Sequence, residues 1–150
     1  MNIHDLLTKE TIFLPLETGT KEEVIRRMVS GLTTAGAVTD AESYVQAVLT
    51  REQSSSTGIG FGVAIPHGKS AGVARAGLAF ARLSAPTDWE SLDDSPVNMV
   101  FMIAVPEANV GNEHLQILVA LSRKLIHEEF RQKLLGAQTA EEVIEILKNM

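Results

Sequence analysis

His67 is the residue in this chain whose neighbours best equip it to do chemistry. It closes the run Ser54-Ser55-Ser56-Thr57-Gly58-Ile59-Gly60-Phe61-Gly62-Val63-Ala64-Ile65-Pro66-His67-Gly68. Val63-Ala64-Ile65 predicts a short buried strand, which Pro66 ends because proline cannot donate to a sheet ladder. His67 is then presented at a strand end, amid glycine backbone that other groups can approach closely. A neutral imidazole is a good nucleophile near neutral pH without further activation. The same pattern also fits a glycine-rich turn with His67 as an ordinary loop residue. Two better-known glycine motifs fail. Gly68-Lys69-Ser70 ends like a phosphate-binding P-loop, but Val63 stands where the first glycine belongs. Gly58, Gly60 and Gly62 run as Gly-x-Gly-x-Gly, not as the Gly-x-Gly-x-x-Gly of a dinucleotide site.

Other residues are candidates to assist an anionic group at His67. Backbone N–H groups of residues 54–62 could form an anion-binding concavity. Asn112 is a candidate N-cap, which puts His114 in the first turn of a helix, where exposed N–H groups favour negative charge. A surface histidine in a helix cap fits His114 equally well on spacing alone. Arg51 reads as a cation at a helix C-terminus, or as a fork of donors matched to two oxygens of one group. Glu52 either orients Arg51 or caps the following loop. His4 and His127 have no such context, and His127 is expected at the surface.

These residues need a framework, and its elements are legible. Ile12-Phe13-Leu14-Pro15-Leu16 predicts a strand, placed at an edge by Pro15. Thr20-Lys21-Glu22-Glu23 is a capping box, after which Val24, Ile25, Met28, Val29 and Leu32 share one helical face. Thr39-Asp40-Ala41-Glu42 repeats that device, and its helix turns Tyr44, Val45, Val48 and Leu49 inward and should end near Arg51-Glu52. Leu78 to Ala81 and Val97 to Val105 predict interior strands. Gly111-Asn112 opens a helix carrying Leu115, Ile117, Leu118, Leu121 and Leu125, and Thr139-Ala140-Glu141-Glu142 caps a closing one. Residues 84–96 form the main irregular segment, with Trp89 expected to pack beneath it. Helices interleaved with strands predict a layered α/β fold around a central mixed sheet, as one domain over residues 1–150.

Composition narrows the class. A net charge of −6 argues against broad nucleic-acid binding and suits a partner with a basic face. No apolar run approaches the ~18 residues that span a bilayer, so direct membrane insertion is not expected. Met1-Asn2-Ile3-His4-Asp5 lacks the basic and apolar regions of a signal peptide. The absence of cysteine removes disulfides and thiolate metal sites. No metal or cofactor site is expected, since His67 and His114 lack a third ligand of the His-x-x-x-His or Glu-x-x-His kind.

The residues around His67 resemble the phosphorylation site of the fructose/mannitol-type enzyme IIA components of the bacterial sugar phosphotransferase system. That signature places an acidic or amide residue, an aliphatic-small pair and then aliphatic-Ala-aliphatic-Pro-His-small. Glu52, Ile59, Gly60, Val63, Ala64, Ile65, Pro66, His67 and Gly68 stand at those positions. The resemblance continues through Asp88-Trp89-Glu90-Ser91-Leu92-Asp93, Pro96-Val97, Gly111-Asn112-Glu113-His114-Leu115 and His127-Glu128-Glu129-Phe130-Arg131, and fits the fructose branch better than the mannitol branch. Phe61, where a polar residue such as Asn is common, and Asp94, where Gly is common, depart from the family spelling.

The resemblance implies a cytoplasmic phosphoryl carrier that accepts the group on His67 from the phosphocarrier HPr. It implies passage to a cysteine of a fructose-type IIB component and so to sugar at membrane-bound IIC. It places His114 beside His67 and Arg51 over the phosphoryl group; Thr57 is a candidate for one more hydrogen bond to a phosphoryl oxygen, with Gly68 bordering the group and Glu52 in support. Homodimer formation stays open. The nitrogen-regulatory IIA proteins, which signal through phosphorylation-dependent binding, share the His67-type signature and are the alternative.

Overall fold

The computed structural model describes residues 2–17, 19–108 and 111–150, with the side chains of Glu113 and His114 outside the described set. Six strands form a mixed sheet: β1 (Ile12–Leu16), β2 (Gly58–Gly60), β3 (Val63–Ala64), β4 (His67–Ser70), β5 (Gly77–Thr87) and β6 (Val97–Pro106). Their order is β1-β5-β6-β3-β2, and β4 pairs with β6 beyond the end of β3. β5 and β6 run antiparallel, while β1 on β5 and both β3 and β4 on β6 are parallel. The helices are α1 (Lys21–Thr34), α2 (Ala41–Ser54), α3 (Glu113–Leu125), α4 (Glu128–Gly136) and α5 (Ala140–Lys148).

Alternation along β6 builds a core on each side of the sheet. Val100, Met102 and Ala104 join Ala79, Ala81 and Ala64 beneath α1 and α2. Met99, Phe101, Ile103 and Val105 join Leu78 and Phe80 beneath α3 and α5. Alanines on the first face let α1 and α2 lie close, whereas Phe80 and Phe101 fill the second with ring centroids 4.8 Å apart. A strand buried on both faces needs a near-continuous apolar run, which β6 has.

The structure agrees with the mixed α/β sheet, the edge position of β1, the interior placement of β5 and β6, and full burial of Trp89. Four details differ. The strand expected over 63–65 pairs only through Ala64, and His67 does not follow a strand end but opens β4. Pro66 has no N–H for the ladder, so pairing with β6 breaks there and resumes, with the Pro66 carbonyl accepting from Ile103 N–H at 3.0 Å. Asp40, not Thr39, caps α2, accepting from Ser43 N–H at 3.2 Å, while the Thr39 hydroxyl turns to the Gly72 carbonyl, which both Thr39 and Asp40 N–H also reach. α2 runs on to Ser54, extended by Arg51 donating to the Ser55 carbonyl at 2.9 Å. β5 continues to Thr87, carrying Pro86 through a register shift that spares the ladder a missing donor.

Candidate functional site

α2 is the platform for His67. A Cβ on Gly68 would lie 3.2 Å from Val48 N and 3.1 Å from Val48 Cγ2, so glycine lets β4 press against the helix. The buried Tyr44 hydroxyl donates to the Ile103 carbonyl at 2.6 Å, and the Ser43 and Ser70 hydroxyls meet at 2.8 Å. These contacts fix β4 against α2 and β6, with the His67 side chain half-buried at its start.

The imidazole is oriented by its own loop. Nδ1 of His67 lies 2.9 Å from the Ile65 carbonyl oxygen. A carbonyl can only accept, so Nδ1 carries the proton and the lone pair belongs to Nε2. Ile65 N–H in turn donates to the Thr57 carbonyl at 3.0 Å, tying His67 to the segment that follows α2.

That segment is held by a buried polar network. Glu52 Oε1 accepts from Thr57 N–H at 3.2 Å and lies 2.8 Å from Lys21 Nζ, while Oε2 accepts from the Thr57 hydroxyl. Trp89 Nε1 donates to Thr57 Oγ1 at 3.2 Å, and the Lys21 ammonium sits 5.5 Å from the Trp89 ring centroid. Ser56 donates to the Trp89 carbonyl and accepts from Gly58 N–H. Glu52 thus takes the second of its two expected roles, capping the loop rather than orienting Arg51, and Thr57, a candidate donor to the phosphoryl group, is buried with its one hydroxyl proton on Glu52. Lys21 escaped the sequence reading. The available signal was its place at a helix N-terminus, where the macrodipole disfavours a cation unless something else holds it.

Arg51 spans the end of α2, with Nη1 on the Ser55 carbonyl and, at 3.3 Å, on Ser55 Oγ. Its Nε and Nη2 donors have no partner among the described residues. His114 is the second residue of α3, and its side chain lies outside the described residues. Asn112 occupies the N-cap without a side-chain cap, its Oδ1 accepting from Gln116 at 3.3 Å. His127 is exposed, as expected.

Between β2 and β3 the chain turns through Gly60, Phe61 and Gly62, all at positive φ, with Phe61 at +60°. Asp94 lies at +63°. Both departures from the family spelling therefore fall on left-handed backbone, where Gly and Asn are favoured for steric reasons. Phe61 is 52% exposed; its N–H donates to Asp93 Oδ2 at 3.1 Å and the Arg131 guanidinium stacks 4.6 Å from its ring centroid. N–H donation from Ser95, then from Phe61, holds the Asp93 carboxyl below its usual range.

One open cleft of about 660 Å³ is lined by Ser43, Ala47, Thr50, Lys69 and Ser70, on the α2 and β4 elements that carry His67. Another cleft, of about 540 Å³ between α4 and α5, lined by His127, Phe130 and Lys133 among others, includes none of the groups around His67. Among the described residues no helix is long and apolar enough to cross a membrane.

Comparison with known proteins gives the class. Residues 5–150 match the family model of the phosphoenolpyruvate-dependent sugar phosphotransferase system, EIIA 2, and the chain belongs to that family. It is 47% identical over 147 residues to a fructose-specific EIIABC component of Bacillus subtilis, covering 98% of this chain and 23% of that protein. It is 41% identical over 150 residues to a fructose-specific EIIA component of Haloferax volcanii, covering 98% of this chain and 97% of the relative. The nitrogen regulatory protein IIA-Ntr of Neisseria meningitidis superposes with a TM-score of 0.84 at 34% identity, over 97% of this chain and 98% of that one. Enzyme IIA of the mannitol system of Escherichia coli, solved in complex with phosphorylated IIB, gives 0.80 at 31% identity, over 96% and 98%.

Proposed function

We propose that this chain, acting as one EIIA domain in the cytoplasm, carries a phosphoryl group on Nε2 of His67 between two partner proteins in fructose uptake. The observation that supports this reading most directly is the Nδ1 contact with the Ile65 carbonyl, which leaves the nucleophilic lone pair on Nε2. The donor is the phosphohistidine of HPr. As the Nε2–phosphorus bond forms, the donor's phosphorus–nitrogen bond breaks and its electron pair returns to the donor imidazole. A cysteine thiolate of a fructose-type IIB component then attacks phosphorus, and Nε2 recovers its pair. Such transfers pass through a loose, in-line transition state, so positioning and donors for the equatorial oxygens do most of the work. Arg51, with Nε and Nη2 uncommitted among the described residues, and His114, in the first turn of α3, are assigned that role, with the Gly68 backbone bordering the group. The chemistry asks for no metal, and sugar meets the phosphoryl group only downstream, at membrane-bound IIC.

The fructose assignment is supported by the 47% and 41% identities to fructose-specific proteins, and the IIB partner by the relative solved with phosphorylated IIB. Superposition on IIA-Ntr at 0.84 favours keeping a regulatory reading as the second. Incubation with phosphoenolpyruvate, the phosphorylating enzyme and HPr, followed by intact mass, should add one phosphoryl group. A fructose-type IIB should then remove it. No mass gain overturns the carrier reading, whereas a phospho-form that IIB cannot discharge but that changes binding to another protein replaces transport with signalling.

A further inference from the structure

We propose that Lys21 and Glu52 are a positioning pair for His67, acting through Thr57 and Ile65 on the orientation and tautomer of the imidazole. For its rate readout this rests on the phosphoryl-carrier reading above.

The Glu52 side chain is 5% exposed and that of Lys21 20%. A carboxylate so removed from water is tolerated only when its oxygens are well occupied. Here the ammonium of Lys21, Thr57 N–H and the Thr57 hydroxyl supply that occupation. Trp89 closes the arrangement, its indole N–H on Thr57 Oγ1 and its ring under Lys21. Thr57 is held through its N–H and at both roles of its hydroxyl, so its carbonyl has little freedom. That carbonyl receives Ile65 N–H at 3.0 Å, and the Ile65 carbonyl receives His67 Nδ1–H at 2.9 Å. An unbroken path of polar contacts therefore runs from the first residue of α1 to the imidazole.

The pair is not needed to hold α1 against α2. Arg26 already reaches Glu42 at 2.9 Å, and Val24, Ile25 and Met28 share a core with Tyr44, Val45 and Val48. What the pair adds, alongside Trp89, is a hold on the loop beneath His67. Without it, Thr57 loses its anchor, the Ile65 carbonyl drifts, and the imidazole populates the tautomer with its proton on Nε2, which cannot attack. Outer groups that fix a histidine's tautomer act this way at metal centres, and small misplacements there are costly in rate.

The test compares wild type with Lys21→Met, Glu52→Gln and Lys21→Arg. Imidazole ¹⁵N shifts of His67 in the neutral form report the tautomer without any phosphoryl donor. Quenched single-turnover transfer from phospho-HPr reports rate and apparent affinity. Lys21→Met and Glu52→Gln should remain folded and lose the dominance of the Nδ1–H tautomer. Their maximal transfer rate should fall on the order of tenfold to a hundredfold with donor affinity unchanged. Lys21→Arg should recover most of both. Wild-type shifts and rates in Lys21→Met and Glu52→Gln overturn the proposal, and so does loss of the fold in both, since the pair would then be structural. If wild type itself accepts no phosphoryl group, the carrier reading fails, while the ¹⁵N shifts still decide the role of the pair.

Discussion

Between α2 and β3 the chain makes two turns, and they are secured in opposite ways. The first, at Ser55 to Gly58, is fastened from within by Glu52, Lys21 and the indole of Trp89, with Thr57 and Gly58 buried. The second, at Gly60 to Gly62, is anchored at its base by the Gly62 carbonyl accepting from Asn98 and Met99 N–H, but its tip is held from without by the Asp93 carboxylate and the Arg131 guanidinium and leaves Phe61 half in water. A buried network tolerates no slack, because each unpaired group costs its full desolvation. A surface network exchanges its partners with water cheaply. The inner turn is therefore suited to hold the His67 imidazole, the proposed nucleophile, still, and the outer one is free to contact a partner in the proposed relay.

His67→Ala offers the largest effect and the sharpest break. It should abolish phosphoryl uptake in the HPr-coupled mass assay while changing stability by no more than about 1 kcal/mol, because a half-buried side chain at the start of an edge strand packs little. Wild-type stoichiometry of an acid-labile phosphate on the variant would move the chemistry elsewhere and leave the inner turn without a nucleophile to hold.

Arg51→Lys comes next. An ammonium cannot present paired donors to two oxygens, and one donor to the developing charge is commonly worth about 3 kcal/mol, roughly a hundredfold in rate. The variant should fold normally, losing only the contact to Ser55. An unchanged quench-flow rate would show that the end of α2 serves the loop and not the phosphoryl group.

Gly58→Ala tests the tightness of the inner turn. A Cβ there would lie 2.4 Å from Ser91 Oγ and 3.0 Å from Ser91 Cα, so backbone must move as well as side chain. Overpacking of this kind typically costs about 1–3 kcal/mol, read as a lower melting temperature. A variant as stable as wild type would mean the 88–96 segment yields easily, and the contrast between the turns would collapse.

How far the two turns could be read from sequence follows from the range of their interactions. The capping boxes at Thr20 and Thr139 are local, and both helices begin there. His67 was legible because nearly every neighbour in its signature carries a stereochemical reason. Thr39 offers the same capping chemistry one residue before Asp40, and what occupies its hydroxyl is a distant contact, the Gly72 carbonyl. β4 has no alternation to announce it; its pairing depends on β6 and on Gly68 fitting beneath α2. Lys21 and Thr57 belong to a network of four separate segments, and no window along the chain contains it. Phe61 and Asp94 were visible as unusual spellings, but their shared left-handed backbone needed the fold.

Phe61→Asn should affect the outer turn modestly. Asn tolerates the left-handed conformation that Phe61 holds at +60°, a gain set against loss of stacking by Arg131, so stability should change by less than about 1 kcal/mol. If the outer turn meets partners, the apparent affinity for HPr or IIB should change while the maximal transfer rate does not. A fall in maximal rate at unchanged affinity would put Phe61 with the inner turn instead.

The smallest effect is a pH dependence confined to the outer turn. Asp93 accepts from Ser95 N–H at 3.0 Å and from Phe61 N–H at 3.1 Å, and these donors lower its pKa from the ordinary 3.8. A carboxyl whose folded pKa is depressed contributes stability that is fully present above the unfolded value and is lost as pH falls through the folded one. The turn should therefore be indifferent to pH across the neutral range and loosen only below the ordinary aspartate value. Amide shifts of Phe61 and Ser95 followed from about pH 6 downward should share one transition with its midpoint below 3.8. In Asp93→Asn that transition should vanish, because an amide oxygen still accepts but no longer titrates. A shared midpoint above 3.8 would mean the carboxylate is not engaged by these N–H groups in solution. Phe61 would then be held by Arg131 alone, and the tip of the outer turn would lose one of its two side-chain contacts.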